Sequence, residues 1–264
     1  MMTRYFLEMA YHGRRYAGFQ AQANACTIQG EIDRAVGILV KHPVLTTGSS
    51  RTDAGVHASQ NFVHFDTEHS LHPQFLYKLN AILPRDIVVR AVYRVEPGVH
   101  ARFTAVARSY EYMVSRVKDP FLQDFAYYFP YRIDLDSMQE AAAAVCAQKD
   151  FTSFSKRNTQ VRTFICNIAA AGWTQEGDTL KFRICANRFL RGMVRGLVGT
   201  MLQVGRGKMN MEGLGRIFEG KDCSKADFSA PAQGLFLRAV SYPEGTLNDK
   251  LFSIGEALRD PFQG

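Results

Sequence analysis

The order in which two hydrophobic periods follow one another along this 264-residue chain constrains its fold more than any other feature. Residues 3–11 alternate, with Tyr5, Leu7, Met9 and Tyr11 on one side, which predicts a strand with one face in the core. Alternating runs recur at 86–96, 107–117, 161–173, 179–186 and 234–242, with a short strand at 44–47 and extended chain resuming at 60–65. Helical spacing marks 28–40 behind a Thr27 cap, 73–83 ending at Pro84, and an alanine-rich run to Ala147 opened by Asp136 and Gln139 as a capping box. It also marks 188–204, a short helix after Asn210, and a tail with Leu251, Phe252, Ile254 and Leu258. Strands and helices come in runs rather than in strict βαβ alternation. That order predicts an α+β fold with mixed, largely antiparallel sheets flanked by helices. The aromatic, irregular stretch 119–131 separates two similar halves, 1–120 and 121–264.

Size and charge narrow the classes. A compact chain of this length buries roughly three quarters of its extended surface, so a sizeable core is available. The opening residues lack an uncharged apolar region, which predicts a cytoplasmic chain with no signal peptide. Arg188, Arg191 and Arg195 argue against membrane insertion of the glycine-bearing helix that contains Gly192, Gly196 and Gly199. Five cysteines without a C-x-x-C pair suit reduced thiols. His69 and His72 have no third partner, so no metal is expected. Thirty-two basic against twenty-five acidic residues give a net charge of +7, which favours a polyanionic partner.

The segment 49–58, SSRTDAGVHA, packs an acid, turn formers and a cation into ten residues. Its D-A-G tripeptide reads first as a turn, because Asp bonds its own downstream backbone and Gly takes positive φ freely. The alternative reading makes Asp53 a reactive carboxylate displayed on a loop after a strand. A buried carboxylate that must stay ionised needs a nearby cation, and Arg51 and Arg195 are the candidates. Spacings of three and four put Arg188, Arg191 and Arg195 on one face of the predicted helix, as a solvated basic face or as a grip on phosphates. Tyr110, on an alternating strand, is either a core aromatic or a surface for stacking a flat base.

These pieces together resemble one family. SRTDAGVHA is similar to the G-R-T-D-A-G-V-H-A signature of the tRNA pseudouridine synthase I family, and MAYHGRRYAGFQ resembles its opening block. LNAILP, HARF, ARSYEY, DFTSF, FLRGMVRGLVG and APAQGLFL resemble its later blocks in the same order. The resemblance implies two α+β halves with a central catalytic cleft, a homodimer that clamps tRNA, and no metal or organic cofactor. It implies isomerisation of uridine to pseudouridine in the anticodon arm, at tRNA positions 38 to 40. By the same resemblance Asp53 is the catalytic aspartate and Arg51 takes the space of the flipped nucleotide. Tyr110 stacks on the target base, Arg195 pairs with Asp53, and Leu235 lines the uracil pocket.

Two positions depart from the family pattern. Ser50 stands where the signature has Gly, and His12 where the opening block has Asp. A requirement for positive φ at position 50 would strain the loop by about 1–2 kcal/mol. The competing reading is a catalytically inactive or retargeted RNA-binding relative of the same fold. Aspartic protease and aspartyl phosphotransferase patterns are absent from the sequence.

Overall fold

The computed structural model describes residues 2–157 and 161–254. In chain order the elements are β1 (Thr3–Tyr11), α1 (Ile28–Val40), β2 (Thr47–Gly48), β3 (His57–Thr67), α2 (Phe75–Ile82), β4 (Ile87–Val95) and β5 (Ala107–Ser115). They continue with β6 (Tyr127–Tyr128), α3 (Leu135–Ala147), β7 (Ile168–Glu176), β8 (Thr179–Ala186), α4 (Met193–Gly205), α5 (Met211–Gly220), β9 (Leu235–Ser241) and β10 (Asp249–Ser253). The fold is α+β: β1 pairs antiparallel with β3 and β4, β10 with β4, β2 with β3, and β8 with β5 and β7, while β6 runs parallel on β5.

The chain forms two compact units, one from Met1–Val106 with Leu237–Gly264 and the other from Ala107–Phe236. Beside the expected halves 1–120 and 121–264, β5 joins the second unit, and β9 from Leu237 onward and β10 join the first. The cause is long-range pairing: β5 shares a ladder with β8, and β10 shares one with β4.

In the first unit the strand order is β10-β4-β1-β3-β9, with β2 paired to β3. Strand β1 is buried on both faces rather than one. Leu7 and Met9 are fully enclosed, and so is Phe6 of the opposite face, which packs on His64 and Tyr242 at centroid distances of 5.7 and 5.6 Å. The Thr27 hydroxyl accepts the Gly30 N–H at 3.2 Å, and α1 turns Ile28, Ile32, Ala35 and Val36 inward. The tail departs from its helical reading. Leu251 and Phe252 lie in β10, where backbone bonds to β4 outweigh the spacing of the side chains, and Leu258 lies outside the described residues.

In the second unit the order is β5-β8-β7. Helix α3 is capped by Asp134, whose carboxylate accepts the N–H groups of Asp136 and Ser137, not by Asp136. Gln139 instead accepts the Trp173 N–H at 2.8 Å and ties α3 to β7. Helix α4 begins at Met193, five residues later than its periodicity predicts. Gly192 sits at φ 74°, a left-handed conformation that glycine adopts at no steric cost and that stops a helix from extending backward through it. Arg188 and Arg191 therefore precede α4, and the three arginines do not share a helical face. Almost every side of α4 is buried, which fits a central helix. Its glycines serve that burial: a Cβ on Gly199 would lie 2.1 Å from the Asp227 carbonyl oxygen. Among the described residues no helix is long and apolar enough to cross a membrane.

Candidate active site

The loop carrying Asp53 joins β2 to β3 in the first unit. Its D-A-G segment is a turn: the Val56 N–H donates to the Asp53 carbonyl at 3.1 Å, and Gly55 sits at φ 79°. The turn and the chemistry are compatible, because the turn uses the Asp53 backbone and leaves its half-buried side chain outside the bond. Arg51, two residues earlier, is exposed.

Thr52 between them is buried and held from both ends. Its hydroxyl bonds the Tyr11 hydroxyl at 2.8 Å, and its carbonyl accepts the Phe19 N–H at 3.0 Å. Burial pushes the Tyr11 phenol up to about 12, so it stays protonated at neutral pH and its hydrogen is kept for this network. Gly13 packs so tightly on the loop that a Cβ there would lie 1.9 Å from the Val56 carbonyl oxygen, and its N–H donates to His57 Nδ1 at 3.1 Å. The opening block of the sequence, 11–19, is therefore the loop's support.

Asn61 on β3 supplies the other half of the clamp, and sequence reasoning did not single it out. Its side chain is fully buried. The amide oxygen accepts the Ser49 hydroxyl at 2.7 Å and the Phe62 N–H at 2.9 Å, while the amide nitrogen donates to the Tyr11 hydroxyl and the Ser50 carbonyl at 3.2 and 3.1 Å. Little that is local marks such a residue, since apart from the adjacent Phe62 its partners lie eleven, twelve and fifty positions away.

The two departures now have a structural reading. Ser50 is not at positive φ, so the serine adds no left-handed strain. Its cost is different: the Ser50 Oγ is buried with no hydrogen-bond partner. His12 uses its backbone, donating its N–H to the Asp86 carbonyl at 2.8 Å, and its ring lies 4.6 Å from that of His57.

Tyr110, Arg188, Arg191, Arg195 and Leu235 belong to the second unit. Arg195, in the first turn of α4, donates its Nε–H to the Ala230 carbonyl at 2.6 Å. Tyr112 bonds the next carbonyl, that of Pro231, at 2.7 Å, and burial raises its phenol pKa while the Arg195 charge acts in the opposite sense. The carbonyls of the buried Ala230 and of Pro231 thus orient the two side chains. Tyr110 is half-buried on β5 and meets Phe189 edge-on at 4.9 Å, an aromatic neighbour that the sequence reading passed over. Its local signals are its place beside Arg188 and at the head of the FLRGMVRGLVG block. Arg191 is exposed and its carbonyl accepts the Lys156 N–H, whereas Arg188 is half-buried. Leu235 is buried at the start of β9. Among the described residues no three His, Cys, Asp or Glu side chains are grouped to hold a metal.

An acidic turn clamped by a buried hydroxyl and amide network, in an α+β chain with aromatics and arginines on its second unit, matches one class of protein. The profile of a family described as tRNA pseudouridine synthase matches residues 141–243. Whole-length relatives agree. Proteins named tRNA pseudouridine synthase A are 46 % identical over 245 residues in Parabacteroides distasonis, covering 92 % of this chain and 97 % of the relative. In Bacteroides thetaiotaomicron the identity is 45 % over 253 residues, with 94 % of each chain covered. In Bacillus subtilis it is 39 % over 241 residues, covering 89 % and 97 %. The chain belongs to the tRNA pseudouridine synthase A family.

Proposed function

We propose that the chain isomerises uridine to pseudouridine in the anticodon arm of tRNA, with Asp53 as the nucleophile. The observation that carries this reading is the Asp53 loop, in which the backbone is fixed by Thr52, Gly13 and Asn61 while the carboxylate is left for chemistry. A stacked uridine must leave its helix before a side chain reaches it, at a cost of a few kcal/mol. The exposed Arg51 is suited to fill the gap. The carboxylate attacks C1' or C6, the N1–C1' bond breaks, the base rotates and C5 bonds C1'; the bond to Asp53 is then broken, C5 gives its proton to solvent and N1 takes one up. No hydride moves and no water is consumed, so beyond the attacking carboxylate the residues need only bind, orient and exclude water.

Tyr110 stacks on the target base, Leu235 lines the uracil pocket, and Arg195 pairs with Asp53. Support for Arg195 comes from its Nε anchor on Ala230, which fixes the guanidinium, and from the suitability of its fork for a carboxylate. Arg188 and Arg191 contact phosphates from the connection before α4. The net charge of +7 supports a polyanionic substrate. A homodimer acting in the cytoplasm is part of the same proposal. A relative that only binds RNA would have no use for the carboxylate.

Incubation of the protein with unmodified tRNA transcripts, followed by mapping of pseudouridine, tests the reading. Product at anticodon-arm uridines is expected. Binding of tRNA without product on any transcript would refute catalysis.

A further inference from the structure

The first unit carries a second constellation that the chemistry of Asp53 does not use. Residues 100–104 form a turn that is fixed from several directions. The His100 Nδ1 accepts the N–H groups of Arg102 and Phe103 at 3.1 and 3.3 Å, and the His100 N–H donates to the Thr104 hydroxyl at 2.9 Å. The fully buried Ala101 donates its N–H to His64 at 3.1 Å and accepts the Tyr242 hydroxyl at 2.7 Å. The turn cannot fold its tip inward. At that tip Phe103 is 78 % exposed.

Burial of a phenylalanine is stabilising, so a turn held by these bonds with the ring in water forfeits that stabilisation. The His100 ring lies 4.3 Å from the Phe103 centroid, and the Arg102 guanidinium 5.9 Å from it. Phe103 also borders a pocket of about 180 Å³ shared with Thr47, Gln20, Arg51 and Arg102. At ~30 Å³ per water, that space suits a flat heterocycle rather than one or two solvent molecules. Two arginines and no acid line it. Aromatic rings beside guanidinium groups bind unstacked bases, because every base offers a π-face and is attached to a phosphate.

The geometry points to a nucleobase subsite separate from the target pocket: Phe103, backed by His100 and flanked by Arg51 and Arg102, stacks on an unpaired base adjoining the uridine that is modified. Adjacency follows from Arg51, which lines this pocket and lies two residues from Asp53, a span of at most about 7 Å. The subsite rests on the proposed function, and it makes the flanking nucleotide a determinant of which uridine is chosen.

An abasic scan tests it without turnover. The Asp53→Asn protein is titrated with tRNA transcripts in which each nucleotide around the target is made abasic in turn. Stacking is worth about 1–3 kcal/mol per base, so Phe103→Ala and Phe103→Leu should each weaken binding of the intact transcript about 5- to 150-fold, while Phe103→Tyr should bind like its parent. One abasic position should weaken the parent by a similar factor, and Phe103→Ala should lose nothing more on that transcript. Undiminished binding by Phe103→Ala overturns the subsite, and so does an equal loss on every abasic transcript. A wild-type protein that binds tRNA but forms no pseudouridine defeats the proposed function instead, and leaves the abasic scan to be read on its own.

Discussion

Asn61 on β3 makes four hydrogen bonds, two of them to the Asp53 loop at Ser49 and Ser50, and replacing it by alanine removes all four. The partners are not equally harmed. The Tyr11 hydroxyl keeps Thr52 at 2.8 Å, whereas the Ser50 carbonyl and the buried Phe62 N–H lose the amide that served them. A buried polar group left unpaired costs about 1–3 kcal/mol, so two of them place the loss at about 2–6 kcal/mol. Water entering the vacated volume offsets part of this, and Asn61→Ala should cost about 3 kcal/mol in denaturant or thermal unfolding. If the loop positions the proposed nucleophile Asp53, kcat for pseudouridine formation should fall at least tenfold at a temperature where the variant is folded, with KM changed little. Asn61→Asp keeps the acceptor toward Ser49 but loses both donors and buries a charge, so it should do no better. A loss below 1 kcal/mol with kcat unchanged would refute the view that this network sets the loop.

Other outcomes follow from the same contacts. Ser50→Ala removes an orphan hydroxyl and should raise stability by about 1 kcal/mol, read as a higher denaturation midpoint; a lower midpoint would mean that the Oγ has a partner. Gly13→Ala drives a methyl into the Val56 carbonyl and should yield an insoluble or inactive protein; normal activity would contradict the packing described. Burial, followed by the charges of Arg4 and His100, lowers the His64 pKa from near 6.5 to about 4. The unfolded chain then takes up the proton first as pH falls, so this stability is present above pH 6.5 and is lost between about 6.5 and 4. His64→Gln should flatten that part of the stability–pH curve without abolishing it, since the His100 pKa is lowered as well. An unchanged slope would show that His64 titrates normally.

Much of the architecture was legible because its signals are local. Thr27 before an apolar-periodic run marks the start of α1, and Asn210 does the same for α5 with a 2.9 Å bond to the Gly213 N–H. The start of α4 was not legible: in a list of residues Gly192 looks like one of three helical glycines, and its left-handed φ belongs to the strand-to-helix turn. The reason for Gly199 lies in Asp227, twenty-eight residues on, which no window could reach. The tail illustrates the same limit, since its helical spacing yields to pairing with a strand about 160 residues earlier. At the site, the D-A-G turn and the acid were visible, while the supports that fix them, Tyr11, Gly13 and Asn61, form a network of distant partners. Family resemblance named the opening block, and the structure supplies a physical reason for its glycine and tyrosine.

In the function proposed above, the Asp53 carboxylate is the reacting group and its loop presents it. Release of tritium from C5 of uridine in a tRNA transcript reads the reaction directly, because the new glycosidic bond replaces that hydrogen. With enzyme in excess over transcript, Asp53→Asn should reduce the rate at least a thousandfold, the range expected when a covalent nucleophile is lost, while tRNA affinity stays within a few fold. Tritium release by Asp53→Asn at a rate near that of the unaltered protein would contradict the account.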